Sequence, residues 1–136
     1  MPFMYKIFDD KGNSPATLYH GVSGKKKLPL NQYLIADRKI VKDAKGYNYY
    51  ESGFHLLSTH EECAKYLTLF KNLSNKMVCQ VYVPVYSSMW DKNTKRKKKG
   101  VTVKLAGIMC IFKSDWENRL SAKQVMSNQG VSNGDV

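Results

Sequence analysis

Two short segments of the chain pair histidine with glycine and could form a small-molecule site. His20 and Gly21 end a β-prone stretch, and Gly53 comes two residues before His55. An imidazole changes charge near neutral pH, and a glycine lets a ligand approach the backbone closely. The alternative is that both glycines make turns and both histidines bond only to backbone. The residues predicted to bind a ligand here are His20, Gly21, Arg38, Tyr50, Gly53 and His55.

The cysteines and histidines do not have the spacing of metal ligands or of a nucleophile with its base. No C-x-x-C or H-x-x-x-H pair occurs, and Cys63 falls on the apolar side of a predicted helix. Three widely spaced cysteines are not a disulfide framework. Cys79 and Cys110 also lie in apolar runs, where a free thiol behaves as a small hydrophobe. We therefore predict no metal site, assign no catalytic residue, and expect a reducing, cytoplasmic location.

The most concentrated charge in the chain is the segment 92–99, in which six of eight residues are basic. The whole chain has 22 basic and 11 acidic residues, a net charge of +11, and only three of the basic residues are arginine. Lysine attracts phosphate as a mobile point charge, whereas the planar fork of arginine reads base edges. The alternative is a merely solvated charged loop. The residues predicted to bind nucleic acid are Lys92, Lys95, Arg96, Lys97, Lys98, Lys99 and Lys104.

Aromatic residues accompany this basic segment. They are Tyr82, Tyr86 and Trp90 just before it, and Tyr47, Tyr49 and Tyr50 further upstream. Exposed rings stack on unpaired bases while lysines attract the phosphates, so the combination favours single-stranded nucleic acid or a nucleoprotein complex as partner. The alternative is that these rings belong to the core.

The elements that must position these residues predict an α+β fold with a mainly antiparallel sheet. Overlapping capping boxes at Ser58 and Thr59 predict a helix over 59–72, and the spacing of Leu30 and Leu34 predicts a short helix over 30–35. Alternation of apolar residues predicts strands over 77–86 and 101–112, which enclose the basic segment as a hairpin loop. Shorter strands are predicted over 4–8 and 17–22 and from residue 40. Pro84 should place its strand at a sheet edge or at a bulge, and Gly107 should interrupt the other strand.

The length of 136 residues predicts one domain over 1–120. The segment 121–136 is rich in Ser, Asn, Gln and Gly, and it is expected to be a flexible tail. No apolar run has the length of a signal peptide core or a membrane span, so no membrane partner is expected.

Residues 17–112 resemble the ADP-ribosyltransferase fold, including its poly-ADP-ribose polymerase-like branch. In that family a strand ending in His-Gly holds the nicotinamide-ribose part of NAD, and a glycine and an aromatic precede a helix that starts with Ser or Thr. The matching residues are Tyr19, His20 and Gly21, then Gly53, Phe54, His55, Ser58 and Thr59. The family's catalytic Glu has no counterpart in 104–109, and Phe54 or His55 replaces its tyrosine. The resemblance therefore implies a relative without transferase activity, with NAD as ligand only in the alternative of a nucleotide-binding protein.

The chain also resembles small bacteriophage and prophage proteins. These combine an L-Y-H-G-V segment, here residues 18–22, with a Y-x-S-G-F-H segment, here 50–55, and a following helix. The resemblance implies a protein that acts in the host cytoplasm on a host machine. Together, these patterns predict a basic, non-enzymatic protein that binds nucleic acid or a nucleoprotein complex, as a phage-type inhibitor of host defence would.

Overall fold

The computed structural model describes residues 3–18, 26–42, 49–92 and 100–132, and within these ranges all strand pairings are antiparallel. The strands are β1 (Phe3–Lys11), β2 (Ser14–Ala16), β3 (Tyr33–Ile35), β4 (Ile40–Lys42), β5 (Tyr49–Glu51), β6 (Phe54–Leu56), β7 (Lys76–Tyr82), β8 (Met89–Asp91), β9 (Lys104–Ala106), β10 (Ile108–Cys110) and β11 (Leu120–Ser121). The helices are α1 (His60–Leu67), α2 (Lys113–Glu117) and α3 (Ala122–Asn128). The predicted α+β class with a mainly antiparallel sheet is confirmed. In the part of the chain described, no helix has the length and apolarity needed to cross a membrane.

A six-stranded sheet forms the centre of the molecule. Its strand order is β2-β1-β7-β10-β3, and β11 also pairs with β7. Successive side chains of β1 enter different apolar clusters, since Ile7 belongs to one and Phe8 to the other. The central strands are therefore covered on both faces. The other strands form two separate sheets, a three-stranded one with the order β6-β9-β8 and a two-stranded one, β4-β5.

Helix α1 begins where the capping boxes predict it. The hydroxyl of Thr59 accepts a hydrogen bond from Glu62 N at 3.1 Å, and Ser58 N donates to the carboxylate of Glu62 at 3.0 Å. The helix ends at Leu67 and not at residue 72 as predicted. The chain tightens to i→i−3 bonds at this point, such as Phe70 N to Leu67 O at 3.1 Å.

The helix predicted over 30–35 is wrong. Asn31 has φ 58°, in the left-handed region, and this conformation interrupts a right-handed helix. The following residues form β3, which pairs with β10 from Tyr33 opposite Cys110 to Ile35 opposite Ile108. Leu34 still packs against the second apolar cluster, as an inward residue of a strand.

The two strands predicted around the basic segment are shorter than expected. β7 ends at Tyr82, two residues before Pro84, and it lies inside the sheet between β1 and β10 and not at its edge. The strand predicted over 101–112 divides at Gly107 into β9 and β10, which belong to different sheets. The strand predicted over 17–22 is wrong for residues 17 and 18, which follow β2 and lie in no strand, and residues 19–22 lie outside the described residues.

The flexible tail predicted for 121–136 is wrong for residues 121–132. The hydroxyl of Ser121 accepts from Gln124 N at 3.1 Å and caps α3. Ala122, Val125 and Met126 are buried in the cluster that α1 also covers. Their i, i+3, i+4 spacing gives the helix one apolar face, which docks it despite its polar composition. Residues 133–136 lie outside the described residues.

The docking of α3 can be tested by truncating Met126, which is 3% exposed. Met126→Ala should lower the free energy of unfolding by about 2–5 kcal/mol, because it leaves a cavity in the core. The matched control is Lys123→Ala on the exposed side of the same helix, which should change it by less than about 0.5 kcal/mol. Urea denaturation followed by circular dichroism measures both. Equal, small effects would show that residues 122–128 are not part of the folded core.

Candidate functional site

The pairing of β8 with β9 brings together residues on either side of the basic segment. Asp91 pairs with Lys104 in register, and Lys92 N donates to Val103 O at 2.9 Å. The two strands that flank the segment in the sequence are therefore neighbours in the sheet, as in a hairpin. Five of the seven predicted nucleic-acid contacts, Lys95, Arg96, Lys97, Lys98 and Lys99, lie outside the described residues.

The two described lysines of this set, Lys92 and Lys104, have different surroundings. Lys92 Nζ lies 4.6 Å from the ring centroid of Tyr50, within the range of a cation–π contact. The ammonium of Lys104 is paired with the carboxylate of Asp91, and both side chains are open to solvent. An exposed pair of this kind contributes only about 0–1 kcal/mol, so a phosphate could compete for Lys104 at little cost.

Arg38 is held on three sides by groups of the protein itself. Its guanidinium lies 4.2 Å from the ring centroid of Trp90, and one terminal nitrogen lies 2.6 Å from a carboxylate oxygen of Glu51. The other terminal nitrogen donates to the hydroxyl of Ser88 at 3.1 Å. Trp90 Nε1 in turn donates to the carbonyl of Glu51 at 3.3 Å. These contacts join the segment before β4 to β5 and β8, so Arg38 acts here as a structural clamp.

Gly53 is needed because Trp90 packs directly against it. A Cβ at position 53 would lie 3.0 Å from Ala106 O and 3.1 Å from two ring atoms of Trp90. The indole ring of Trp90 therefore occupies the space beside Gly53 in which a ligand was expected to approach the backbone. Glycine permits the close approach of β6, β8 and β9, as it does where two backbones meet.

Tyr50 and His55 lie next to each other. Their ring centroids are 5.9 Å apart at 84°, an edge-to-face contact, and His55 Nδ1 lies 3.3 Å from Gly53 O. Beneath them, Lys6 Nζ donates to the carbonyl of His55 at 3.2 Å. Burial lowers the pKa of Lys6 to about 8. A histidine bonded to backbone agrees with the alternative that the sequence left open for this residue.

Four of the six predicted ligand residues thus lie on adjoining elements, namely Arg38, Tyr50, Gly53 and His55. The other two, His20 and Gly21, lie outside the described residues. Sequence reasoning missed Trp90 as the partner of Arg38, which lies 52 positions earlier. The available signal was a lone arginine among lysines, since only the planar guanidinium stacks well on an indole.

The three cysteines are buried and poorly suited to chemistry. Burial raises the pKa of Cys63 to about 12 and that of Cys79 to about 12. The pKa of Cys110 is also raised, by burial and then by the carboxylate of Asp115. A protonated thiol is a weak nucleophile, so these side chains act as core residues. Within the described ranges, no group of three His, Cys, Asp or Glu side chains is placed to hold a metal ion.

Comparisons with models of protein families, with curated proteins and with solved structures find no match to this chain.

The role of Gly53 can be tested against a second glycine of the same region. Gly53→Ala should lower the free energy of unfolding by about 1–3 kcal/mol, because the new methyl group would overlap backbone and indole. Gly107→Ala is the control, since a Cβ there would meet Arg38 at ordinary contact distance, 3.7 Å from Cδ and 3.8 Å from Nη1. Guanidinium denaturation of the two variants gives the comparison. If Gly53→Ala is no less stable than Gly107→Ala, position 53 has space for a methyl group, and the close packing of Trp90 against Gly53 is contradicted.

Proposed function

We propose that the protein binds nucleic acid, or a nucleoprotein complex that exposes it, and catalyses no reaction. The observation that carries the proposal is the pairing of β8 with β9, which places the residues before and after the lysine-rich segment next to each other. Five consecutive basic residues, 95–99, lie between these two strands in the sequence. Such a density of charge attracts the phosphate backbone and releases its counterions on binding.

The carboxylates around the hairpin support this proposal, because each is matched by a cation. Asp91 is paired with Lys104, and Glu51 is paired with Arg38. Asp37 lies 3.5 Å from the ammonium of Lys39. Negative charge at this end of the molecule is therefore largely neutralised locally, which leaves the loop lysines to set the field that an approaching polyanion meets.

The arginines support attraction to phosphate without reading of bases. Arg119 repeats the arrangement of Arg38, since its guanidinium lies 4.2 Å from the ring of Trp116 and 2.9 Å from the carboxylate of Asp10. Both described arginines are thus used to fasten elements together. Base edges are read mainly by arginine forks, and the basic segment 92–99 has one arginine, Arg96, beside five lysines, so contact with the backbone of the nucleic acid is favoured.

The test is the salt dependence of binding to a fluorescent oligonucleotide. Each phosphate neutralised on a single strand contributes about 0.7 to the slope of log K against log salt. Replacing Lys97, Lys98 and Lys99 by Ser should weaken binding at low salt and lower that slope by up to about 2. The control replaces the exposed Lys26, Lys71 and Lys123 by Ser, which removes the same charge elsewhere. If the parent chain binds no oligonucleotide at low salt, the proposal is wrong.

The resemblance to small phage proteins extends the proposal to the biological target, a host defence complex that works on nucleic acid. Such a complex should be recovered from infected host cells with the parent chain and lost with the Lys97, Lys98 and Lys99 variant. Recovery that is unchanged in the variant would assign the contact to another surface.

A second candidate function is binding of NAD or a related nucleotide on an ADP-ribosyltransferase-like fold. It is favoured by the grouping of Arg38, Tyr50, Gly53 and His55, and opposed by the occupied space at Gly53 and the engaged guanidinium of Arg38. A ligand that binds only the folded state raises its melting temperature. Stabilisation by NAD or ADP-ribose that is lost in His20→Ala would establish this candidate. We expect neither compound to stabilise the protein.

A further inference from the structure

One end of the central sheet has an aromatic surface that none of the three described helices covers. Register places Phe3 opposite Tyr82, Tyr82 opposite Cys110, and Cys110 opposite Tyr33. Residues paired in this way project to the same side of a sheet, so they form one row across β1, β7, β10 and β3. Tyr86 and Phe112 extend the row. We call Phe3, Tyr33, Tyr82, Tyr86 and Phe112 the aromatic face.

The rings of the aromatic face contact one another and remain open to solvent. Ring centroids are 5.4 Å apart for Phe3 and Tyr82, 5.6 Å for Tyr82 and Phe112, and 6.1 Å for Tyr33 and Tyr86. Tyr33 is 53% exposed and Tyr86 67%. The pKa of Tyr33 is raised, by desolvation first and then by the neighbouring Tyr86. The contacts hold the rings in place without burying them.

The rest of the sheet shows that this exposure is local. On the same side of β1 and β7, Ile7 and Val78 are buried under α1 and α3. On the opposite side, Met4, Leu34 and Met109 pack in the second apolar cluster. Among the residues that the structure describes, these strands are open at the end that carries the aromatic face, where Ile35 of β3 is also 78% exposed. A contiguous exposed apolar patch of this kind marks a binding surface.

Charge and position indicate what this surface binds. A second copy of the chain would bring another +11 against the first, and this repulsion opposes self-association. A polyanion with flat rings is attracted instead, and sheets with exposed aromatic rings stack two or three unpaired bases. Tyr86 precedes Lys92 by six residues, so the face lies within about 20 Å along the chain from the start of the basic loop.

We propose that the aromatic face is a base-stacking platform, so the protein takes single-stranded nucleic acid in preference to duplex. This inference rests on the proposed function, because the rings can hold bases only if the protein binds nucleic acid. Duplex DNA keeps its bases stacked on each other and offers none to the platform. Any base has a flat face, so the platform distinguishes single strands from duplex but does not distinguish one base sequence from another.

The experiment measures the affinity of the full chain for a fluorescent 12-nucleotide single strand and for the same sequence as duplex. Tyr33→Ala and Tyr86→Ala should each weaken single-strand binding roughly 5- to 100-fold, the range expected for one stacked base. Their salt slopes should stay unchanged, because stacking neutralises no phosphate. Tyr33→Phe keeps the ring and should retain the affinity of the parent chain.

Ile40→Ala is the matched control, because Ile40 is an apolar residue that is 67% exposed but lies on β4, outside the aromatic face. Unchanged single-strand affinity in Tyr33→Ala and Tyr86→Ala, with the parent chain still binding, would overturn the inference and leave the proposed function standing. Equal affinity for single strand and duplex would overturn it as well. A concentration-dependent dimer that Tyr33→Ala dissociates would assign the face to a second copy. Loss of all binding in the parent chain would instead refute the proposed function.

Discussion

Seven residue pairs join β1 to β7, from Phe3 opposite Tyr82 to Asp9 opposite Lys76, and the other elements depend on this ladder. It carries β2 on one side and β10 and β11 on the other. Its side chains enter both apolar clusters, so neither cluster can form until the register is correct. A shift by one residue would exchange the faces, placing Ile7 where Phe8 packs. The buried pair of Asp9 with Lys76, at 2.7 Å, lies at one end of the ladder and favours the observed register.

The sequence predicts those features of the fold that depend on contacts between residues close together in the chain. The caps of α1 are bonds between neighbours, so Ser58, Thr59 and Glu62 were sufficient to locate its start. The strand β3 was missed because its pairing with β10 joins residues more than 70 positions apart, and this pairing outweighs the spacing of Leu30 and Leu34. For α3 the signal was present, a cap at Ser121 followed by an apolar triplet, but the polar composition concealed it. Composition describes the average residue, whereas docking of a helix depends on one face.

The candidate site was less accessible to sequence reasoning than the fold. Arg38, Tyr50, Gly53 and His55 do come onto adjoining elements, but the ring of Trp90, which packs against Arg38 and Gly53, enters from β8. A site made by contacts between distant segments has no local pattern. The aromatic face has the same origin, since each ring comes from a different part of the chain and only register aligns them. The sequence predicts Tyr82 and Tyr86 as stacking residues because they lie near the basic segment, but it does not predict Phe3, Tyr33 and Phe112.

Because β8 and β9 pair with each other, residues 93–99 can change in evolution without altering the rest of the fold. Backbone bonds such as Lys92 N to Val103 O fasten the strands independently of what connects them. Doubling the length of a flexible connection costs only about 0.6 kcal/mol in closure entropy. Insertions, deletions and charge changes within 93–99 should therefore be inherited with little penalty to stability, in contrast to changes at the buried Val101 and Val103 that follow. A lineage carrying this fold could retune its attraction to phosphate, or exchange one target for another, while its core stayed the same.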